Sequence, residues 1–333
     1  MKLLQALLIF SIVCCSCNKA ENTPVPPGGP VKDSVADILN YTIDGMQPVI
    51  TVSPGLVDVR FADTVTDPEN LVASFSLTEG ASASINGVAQ VSGKTANNYN
   101  NYLNYSVKNK SGVIKHWIVS ATNNDYTAKW GLGRFIKESG SNDRLYNWYF
   151  TQAGTGEYWN INCGPACVTM AMKWADSSFN LAPADARAYF PQNTGLWGFG
   201  TIGEYLREHD FDHSYVNLGG TAEETFNIIK KQIDSGRIGI LLITTEKLGG
   251  FIGVSGDPYA DRYYPENFNH FVVVYGYKKV DDEIFFQVND PWNVALTHAD
   301  GSLKGKNRYY RYGDIYNAAA GIENGMCVIY AKQ

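Results

Sequence analysis

The sequence predicts a multidomain chain, all-β in its first half and α+β in its second, and three observations carry that expectation. Short alternating apolar runs, broken by Gly, Pro, Asn and Asp, fill residues 35–123. Apolar residues at helical spacing begin at Cys163, and long apolar strands dominate from about residue 237 onward. With 333 residues, 44% of them hydrophobic, the chain has enough apolar material for two packed cores.

The chain opens as an export signal. Met1 and Lys2 lead an apolar stretch from Leu3 to Val13, too short to span a bilayer, and CCSC follows. Ser16 before Cys17 resembles the lipobox of bacterial lipoproteins, which implies cleavage there and acylation of Cys17. Cys14 departs from the leucine usual at its position and leaves cleavage before Cys15 open. Residues 1–17 are thus read as signal and anchor of an exported, membrane-anchored envelope lipoprotein. Residues 18–34, with four prolines and few large apolar side chains, are read as a tether. Beyond the signal only Cys163, Cys167 and Cys327 remain, poor material for a disulfide framework. A net charge of -6 and the lack of any Lys/Arg-rich run leave no electrostatic footprint for nucleic acid.

Residues 35–123 hold about six strand-like runs, among them LVDVRFA, where Val57, Val59 and Phe61 line one face and Asp58 and Arg60 the other. A small β-sandwich is the expected solution. Its layout resembles the immunoglobulin-like spacer domains that follow the lipid anchor in many bacterial surface proteins. His116 and Trp117 lie in the last of these strands and are expected to be buried rather than catalytic.

Residues 124–149 read as a polar, aromatic connector, and residues 150–333 as the α+β domain. Cys167, Met170, Ala171 and Trp174 fall at i, i+3, i+4 and i+7, one face of a helix. Short helices are expected over Pro183 to Phe190 and Thr201 to Glu208. Thr221 with Glu224 forms a capping box that opens a helix to about Asp234, stopped by Gly236. RIGILLITT, HFVVVYGYKK, EIFFQVND and GMCVIYA are strands, several apolar on both faces and therefore central. The order is a helical part followed by a sheet.

Pro165 suits a first helical turn, so Cys163 stands at the helix mouth, where the dipole and free N–H groups favour an anion and hence a thiolate. A Cys163–Cys167 disulfide needs geometry that neighbouring turns of one helix rarely offer. A metal site needs ligand spacing that His209 and His213 do not give, and a packing role suits Cys167 better. A cysteine nucleophile needs a base, and His270, at the start of an apolar strand after a long loop, can be both held and exposed. The following strand ends in VNDPWN, and a hairpin turn around Asp281 and Asp282 brings that end beside His270. Asp290 could then accept from the imidazole and fix its tautomer. An odd register would present Asn289 instead, and apolarity on both faces leaves the register open.

NCGPAC, NHFVVVYGY and VNDPW, in that order across residues 150–332, resemble the Cys, His and Asp blocks of the double-glycine leader peptidases that process bacteriocins, a branch of the papain-like cysteine peptidases. The resemblance implies a papain-like domain that cleaves a peptide or protein substrate through a thioester, without metal or organic cofactor. It places the nucleophile at Cys163, the general base at His270 and the orienting acid at Asp290, with Trp292 shielding the pair. The family typically has a glutamine six residues before the nucleophile as oxyanion donor. Here Glu157 stands there, and an ionised carboxylate has no hydrogen to donate. Either Glu157 is protonated and serves as the donor, or Gln152, Asn160 or Asn162 takes that role through a local insertion, or the hole is defective. Two further readings stay open: a surface binding protein that has lost catalysis, and an amidase or transpeptidase using the same acyl-enzyme. The Gly- and Tyr-rich loop from Glu246 to Asn269 is expected to form a flexible wall of the cleft.

Overall fold

The computed structural model describes residues 35–62, 64–123, 132–192, 194–250, 259–292 and 296–332. Residues 1–34, read above as export signal, anchor at Cys17 and tether, lie outside the described residues.

The amino-terminal half is built from β1 (Ile38–Ile43), β2 (Val49–Ser53), β3 (Leu56–Phe61), β4 (Leu71–Leu77), β5 (Ser82–Ile85), β6 (Val88–Gln90), β7 (Ala96–Asn97), β8 (Leu103–Lys108) and β9 (Ile114–Asn123). Among the described residues, β1, β4 and β7 form one sheet, and a second runs in the order β2-β3-β9-β8-β5-β6. One core joins them. Val57, Val59 and Phe61 point into it beside Tyr41 and Trp117, while Asp58 and Arg60 pair outside at 2.9 Å. Each such inward side chain contributes about 1.5–3 kcal/mol of burial, which is why the alternation fixes the face of β3. Period two also separates neighbours. Trp117 is buried and donates through Nε1 to the Ala36 carbonyl (3.1 Å), whereas His116, expected inside, is exposed beside the Ser106 hydroxyl (3.2 Å).

The carboxy-terminal half contains β10 (Ile136–Ser141), α1 (Cys163–Ala175), α2 (Pro183–Tyr189), α3 (Phe199–Glu208), β11 (His213–Asn217), α4 (Ala222–Asp234), β12 (Ile238–Thr244), β13 (Asn269–Val280), β14 (Glu283–Asn289), β15 (Arg308–Arg311), α5 (Tyr312–Ala320) and β16 (Gly325–Ile329). The strands form an antiparallel sheet in the order β11-β16-β12-β13-β14-β15, with β10 paired to β13. Helices α1, α2 and α3 cover one face, and α4 and α5 the other. Strand β13 is apolar on both sides for this reason: Phe271 and Val273 meet the first helical layer, Val272 and Val274 the second. Thr221 caps α4 by accepting from the Glu224 N–H at 3.1 Å, and Gly236 follows the helix with φ of 75°.

Two expectations of layout are corrected. The segment at 124–149 is not only a connector, since it supplies β10; the polar run IKESGS needs little burial there because it lies along part of a strand edge. Helices and strands are also interleaved, with β11 between α3 and α4 and α5 between β15 and β16. The β13–β14 turn is docked to the amino-terminal half. Asp281 holds φ of 52°, accepts from the N–H groups of Arg134 (2.9 Å) and Phe135 (3.0 Å), and donates its own N–H to the Phe135 carbonyl (2.9 Å). Phe135 is itself buried in the amino-terminal core.

The register of this hairpin carries a one-residue irregularity. From the turn, Val280 faces Glu283 and Gly276 faces Gln287, but Val274 faces Val288 and Val273 faces Asn289. Tyr275 is the extra residue. Without it Asn289 would face Val274 and so share the side of His270, while Asp290 would face Val273 on the other side; with it Asp290 falls opposite Val272 and shares the side of His270. The bulge answers the question of register that the sequence left open.

Candidate active site

Helix α1 starts at Cys163 itself, with Asn162 at its N-cap and Pro165 in its first turn. Asn162 makes no side-chain cap, so it does not occupy the N–H groups of that turn, which suits the site to an anion. Trp197 lies across the same turn: a Cβ on Gly164 would come within 2.8 Å of the Trp197 Cβ, so only glycine permits the approach. Cys163 is 5% exposed. Cys167, one turn on, is fully buried in the core, and burial pushes its thiol well above the ordinary range, as suits a packing residue.

His270 donates through Nε2 to Asp290 Oδ1 at 2.8 Å, and both side chains are closed off from solvent. Nδ1 is then the ring nitrogen not engaged by Asp290, and Cys163 is near enough to the imidazole to favour its protonated form. Burial by itself would lower the His270 pKa, but the Asp290 charge and its hydrogen bond, together with Cys163, outweigh burial and raise it to about 9. Burial likewise works to raise Asp290, and is overcome by His270, the Tyr310 hydroxyl and the Trp292 N–H, which hold the carboxyl below its usual range.

Every acceptor position of Asp290 is matched. Oδ1 receives His270 Nε2 and the Trp292 N–H, each at 2.8 Å; Oδ2 receives the hydroxyls of Tyr310 (2.6 Å) and Tyr264 (3.2 Å). The Tyr149 hydroxyl donates to the Asp290 carbonyl at 2.8 Å, and a Cβ on Gly305 would lie 2.1 Å from that same oxygen. Around the imidazole stand Phe268, Tyr264 and Trp292, with ring centroids at 5.3, 6.2 and 6.2 Å; Trp292 meets it edge-on. Tyr264 comes from the loop expected to form a cleft wall. Its described end is packed beneath the imidazole, and residues 251–258 lie outside the described residues.

The four oxyanion candidates separate clearly. Glu157 and Asn160 are exposed. Asn162 is buried and committed, accepting from Arg187 Nε at 2.6 Å and donating to Thr155 Oγ1 at 2.8 Å. Gln152 is 1% exposed; its N–H donates to the Pro291 carbonyl (2.9 Å) and its Nε2 to the Trp159 carbonyl (3.0 Å). It therefore lies against the segment that carries Asp290. Among the described residues, no group of three His, Cys, Asp or Glu side chains is placed to hold a metal ion.

A family model described as "Peptidase_C39 like family" matches residues 145–320, more than half of the chain. The chain belongs to the C39-like peptidase family. Membership gives the carboxy-terminal half a papain-like fold of the cysteine-peptidase type. Solved structures similar to this C39-like chain include a candidate C39-like peptidase from Bacillus anthracis, 13% identical, covering 59% of this chain and 98% of that one, with a TM-score of 0.37. A candidate secreted protein from Bacteroides fragilis is 15% identical over 27% of this chain and 97% of its own, with a TM-score of 0.23. A candidate glycoside hydrolase from Bacteroides thetaiotaomicron is 13% identical over 92% and 98%, with a TM-score of 0.25. Such low scores carry no argument about chemistry. A search of the curated proteins found no match.

Three residues of the C39-like site escape a reading of the sequence: Tyr264, Tyr310 and Arg187. Tyrosine is abundant along the chain, and nothing local marks the two whose hydroxyls reach Asp290. Arg187 sits in a short helix as an ordinary surface residue would, yet it is 7% exposed.

Proposed function

We propose that the chain is an exported, lipid-anchored cysteine peptidase that hydrolyses peptide bonds through Cys163, His270 and Asp290. The observation that carries this reading is the buried His270–Asp290 pair beside a thiol at a helix N-terminus. In the first step the Cys163 thiolate attacks the peptide carbonyl carbon, and the carbonyl oxygen takes the negative charge. The tetrahedral adduct collapses to a thioester as the imidazolium gives its Nδ1 proton to the leaving amine. Neutral His270 then takes a proton from water, whose oxygen attacks the thioester and releases the acid and the thiol.

For the oxyanion we assign the Cys163 N–H and Gln152, eleven residues ahead of Cys163 in place of the family's six. The burial of Gln152 and its bond to Pro291 support it; Glu157, exposed on the surface, is left without a role. Replacing Gln152 by alanine is expected to lower kcat by about 10²–10³-fold, the effect of losing one oxyanion donor. Glu157→Gln should leave kcat within about threefold, in the range of a surface change. Kinetics in which Glu157→Gln, and not Gln152→Ala, moves kcat would reverse the assignment.

The His270 shift sets a pH dependence. The imidazole must carry a proton for the leaving amine, so kcat/KM is expected to fall as pH rises through about 9. A profile still flat well above that pH would argue against His270 as the acid. The reading as a whole is tested by digestion of a mixed peptide library together with iodoacetamide labelling: Cys163 should react faster than a free model thiol near neutral pH.

The remaining parts of the proposal rest on the sequence. Residues 1–17 serve as signal and anchor with acylation at Cys17, residues 18–34 as tether, and residues 35–123 as an immunoglobulin-like spacer that holds the peptidase away from the membrane.

A further inference from the structure

We propose that Arg187 is a positioning residue for both the nucleophile and the oxyanion donor, a buried cation that fixes the N-terminus of α1 and favours the thiolate there. This rests on the reading of Cys163 as nucleophile.

Arg187 comes from α2, and its guanidinium is held on three sides. Nε donates to Asn162 Oδ1 (2.6 Å), Nη1 to the Gly195 carbonyl (2.9 Å) and Nη2 to the Ile161 carbonyl (3.3 Å). The rings of Tyr158 and Trp197 flank it, each with its centroid 5.6 Å from the guanidinium carbon. Asn162 is the residue directly before Cys163, and Trp197 is the residue packed on Gly164 directly after it. One planar cation thus bonds the residue before the nucleophile and lies over the ring packed on the residue after it.

The network continues to the other half of the machinery. Asn162 Nδ2 donates to the Thr155 hydroxyl at 2.8 Å, and that hydroxyl donates to the Gln152 carbonyl at 2.6 Å. From Arg187 to Gln152 the bonds run Nε to Asn162, Asn162 to Thr155, Thr155 to Gln152, so a shift of the guanidinium is felt at the oxyanion donor. Asn162 and Thr155 each accept on one side and donate on the other, which leaves the chain a single direction.

A guanidinium is suited to this place because its fork reaches several acceptors at once and its charge cannot be discharged at neutral pH. Burial pulls the Arg187 pKa below its ordinary value, and the Cys163 and Tyr158 groups oppose that pull. The bond to Asn162 sets this buried cation one residue from Cys163, where it attracts an anion.

The test uses the full chain with two substitutions. Arg187→Gln removes the charge and should slow alkylation of Cys163 by iodoacetamide at neutral pH by about tenfold or more. It should lower kcat comparably while KM stays within about threefold, because the group acts on the reacting atoms and not on the substrate. Arg187→Lys keeps a charge without the fork; it should recover the alkylation rate to within about threefold and still leave kcat about tenfold down. Wild-type alkylation rates in Arg187→Gln would overturn the electrostatic role. Wild-type kcat in Arg187→Lys would overturn the positioning role, and that measurement decides if thermal melting shows Arg187→Gln to be unfolded. A wild-type Cys163 that reacts no faster than a model thiol would instead remove the nucleophile reading, and this inference with it.

Discussion

Replacing Cys163 by alanine is expected to abolish peptide hydrolysis, with kcat/KM down about 10⁴-fold or more, the scale seen when a covalent nucleophile is removed. The thiol is small and its packing contribution modest, so the melting temperature should move by only about 2–4 °C. Cys167→Ala serves as the counterpart, since Cys167 is deeper in the core and its thiol is held protonated by burial. It should cost stability and spare turnover. Hydrolysis of a peptide library by Cys163→Ala within tenfold of wild type would sink the peptidase reading, because no other described thiol faces His270.

The second large effect is at Asp290. Four donors converge on its two oxygens, two on each, so a carboxylate is the group the site requires. With Asp290→Asn, either orientation of the amide sets an NH₂ against two donors. The orientation that keeps the hydroxyls of Tyr310 and Tyr264 satisfied drives His270 to the wrong tautomer, with its proton on the nitrogen that should accept from Cys163. We expect kcat to fall by about 10³-fold or more. Asp290→Ala breaks the buried pair and should cost about 3–5 kcal/mol, a fall in melting temperature of roughly 10 °C.

The pH dependence of that loss has a definite sign. Folding raises the His270 pKa from 6.5 to about 9, so its share of the stabilisation is complete below 6.5 and is lost as pH rises through about 9. Folding lowers Asp290 from 3.8, so its share is present above 3.8 and is lost as pH falls through the folded value. The stability gap between wild type and Asp290→Ala should therefore be widest between 3.8 and 6.5 and narrow on both sides. Denaturant unfolding at several pH values reads it directly, and a gap that widens above pH 9 would contradict the assignment.

Much of the site could be read without coordinates because its signals are local. Pro165 and the apolar spacing from Cys167 to Trp174 announce α1 and the helix N-terminus on which Cys163 stands. Asp281 and Asp282 announce the turn that folds VNDPW back toward NHF. What could not be read depends on contacts between distant segments. The choice between Asn289 and Asp290 turns on a single extra residue at Tyr275, whose carbonyl accepts from the Asn142 N–H and whose ring packs on Trp148 at 5.0 Å. No alternation pattern encodes that. The polar β10 is recognisable only once β13 offers it an edge, and Gln152 can be preferred to Glu157 only when burial and the bond to Pro291 are seen.

The docking of Asp281 against Phe135 has a mechanical consequence. In a chain held at its amino terminus, tension passes through the amino-terminal half and enters the carboxy-terminal sheet along β10 and at the tip of the β13–β14 hairpin. His270 and Asp290 lie at the opposite end of the same hairpin, about 33 Å of strand away at some 3.3 Å per residue. Force entering from the amino-terminal half is thus borne where the hairpin turns, and the hydrogen bonds that align imidazole and carboxylate stand outside the line of strain.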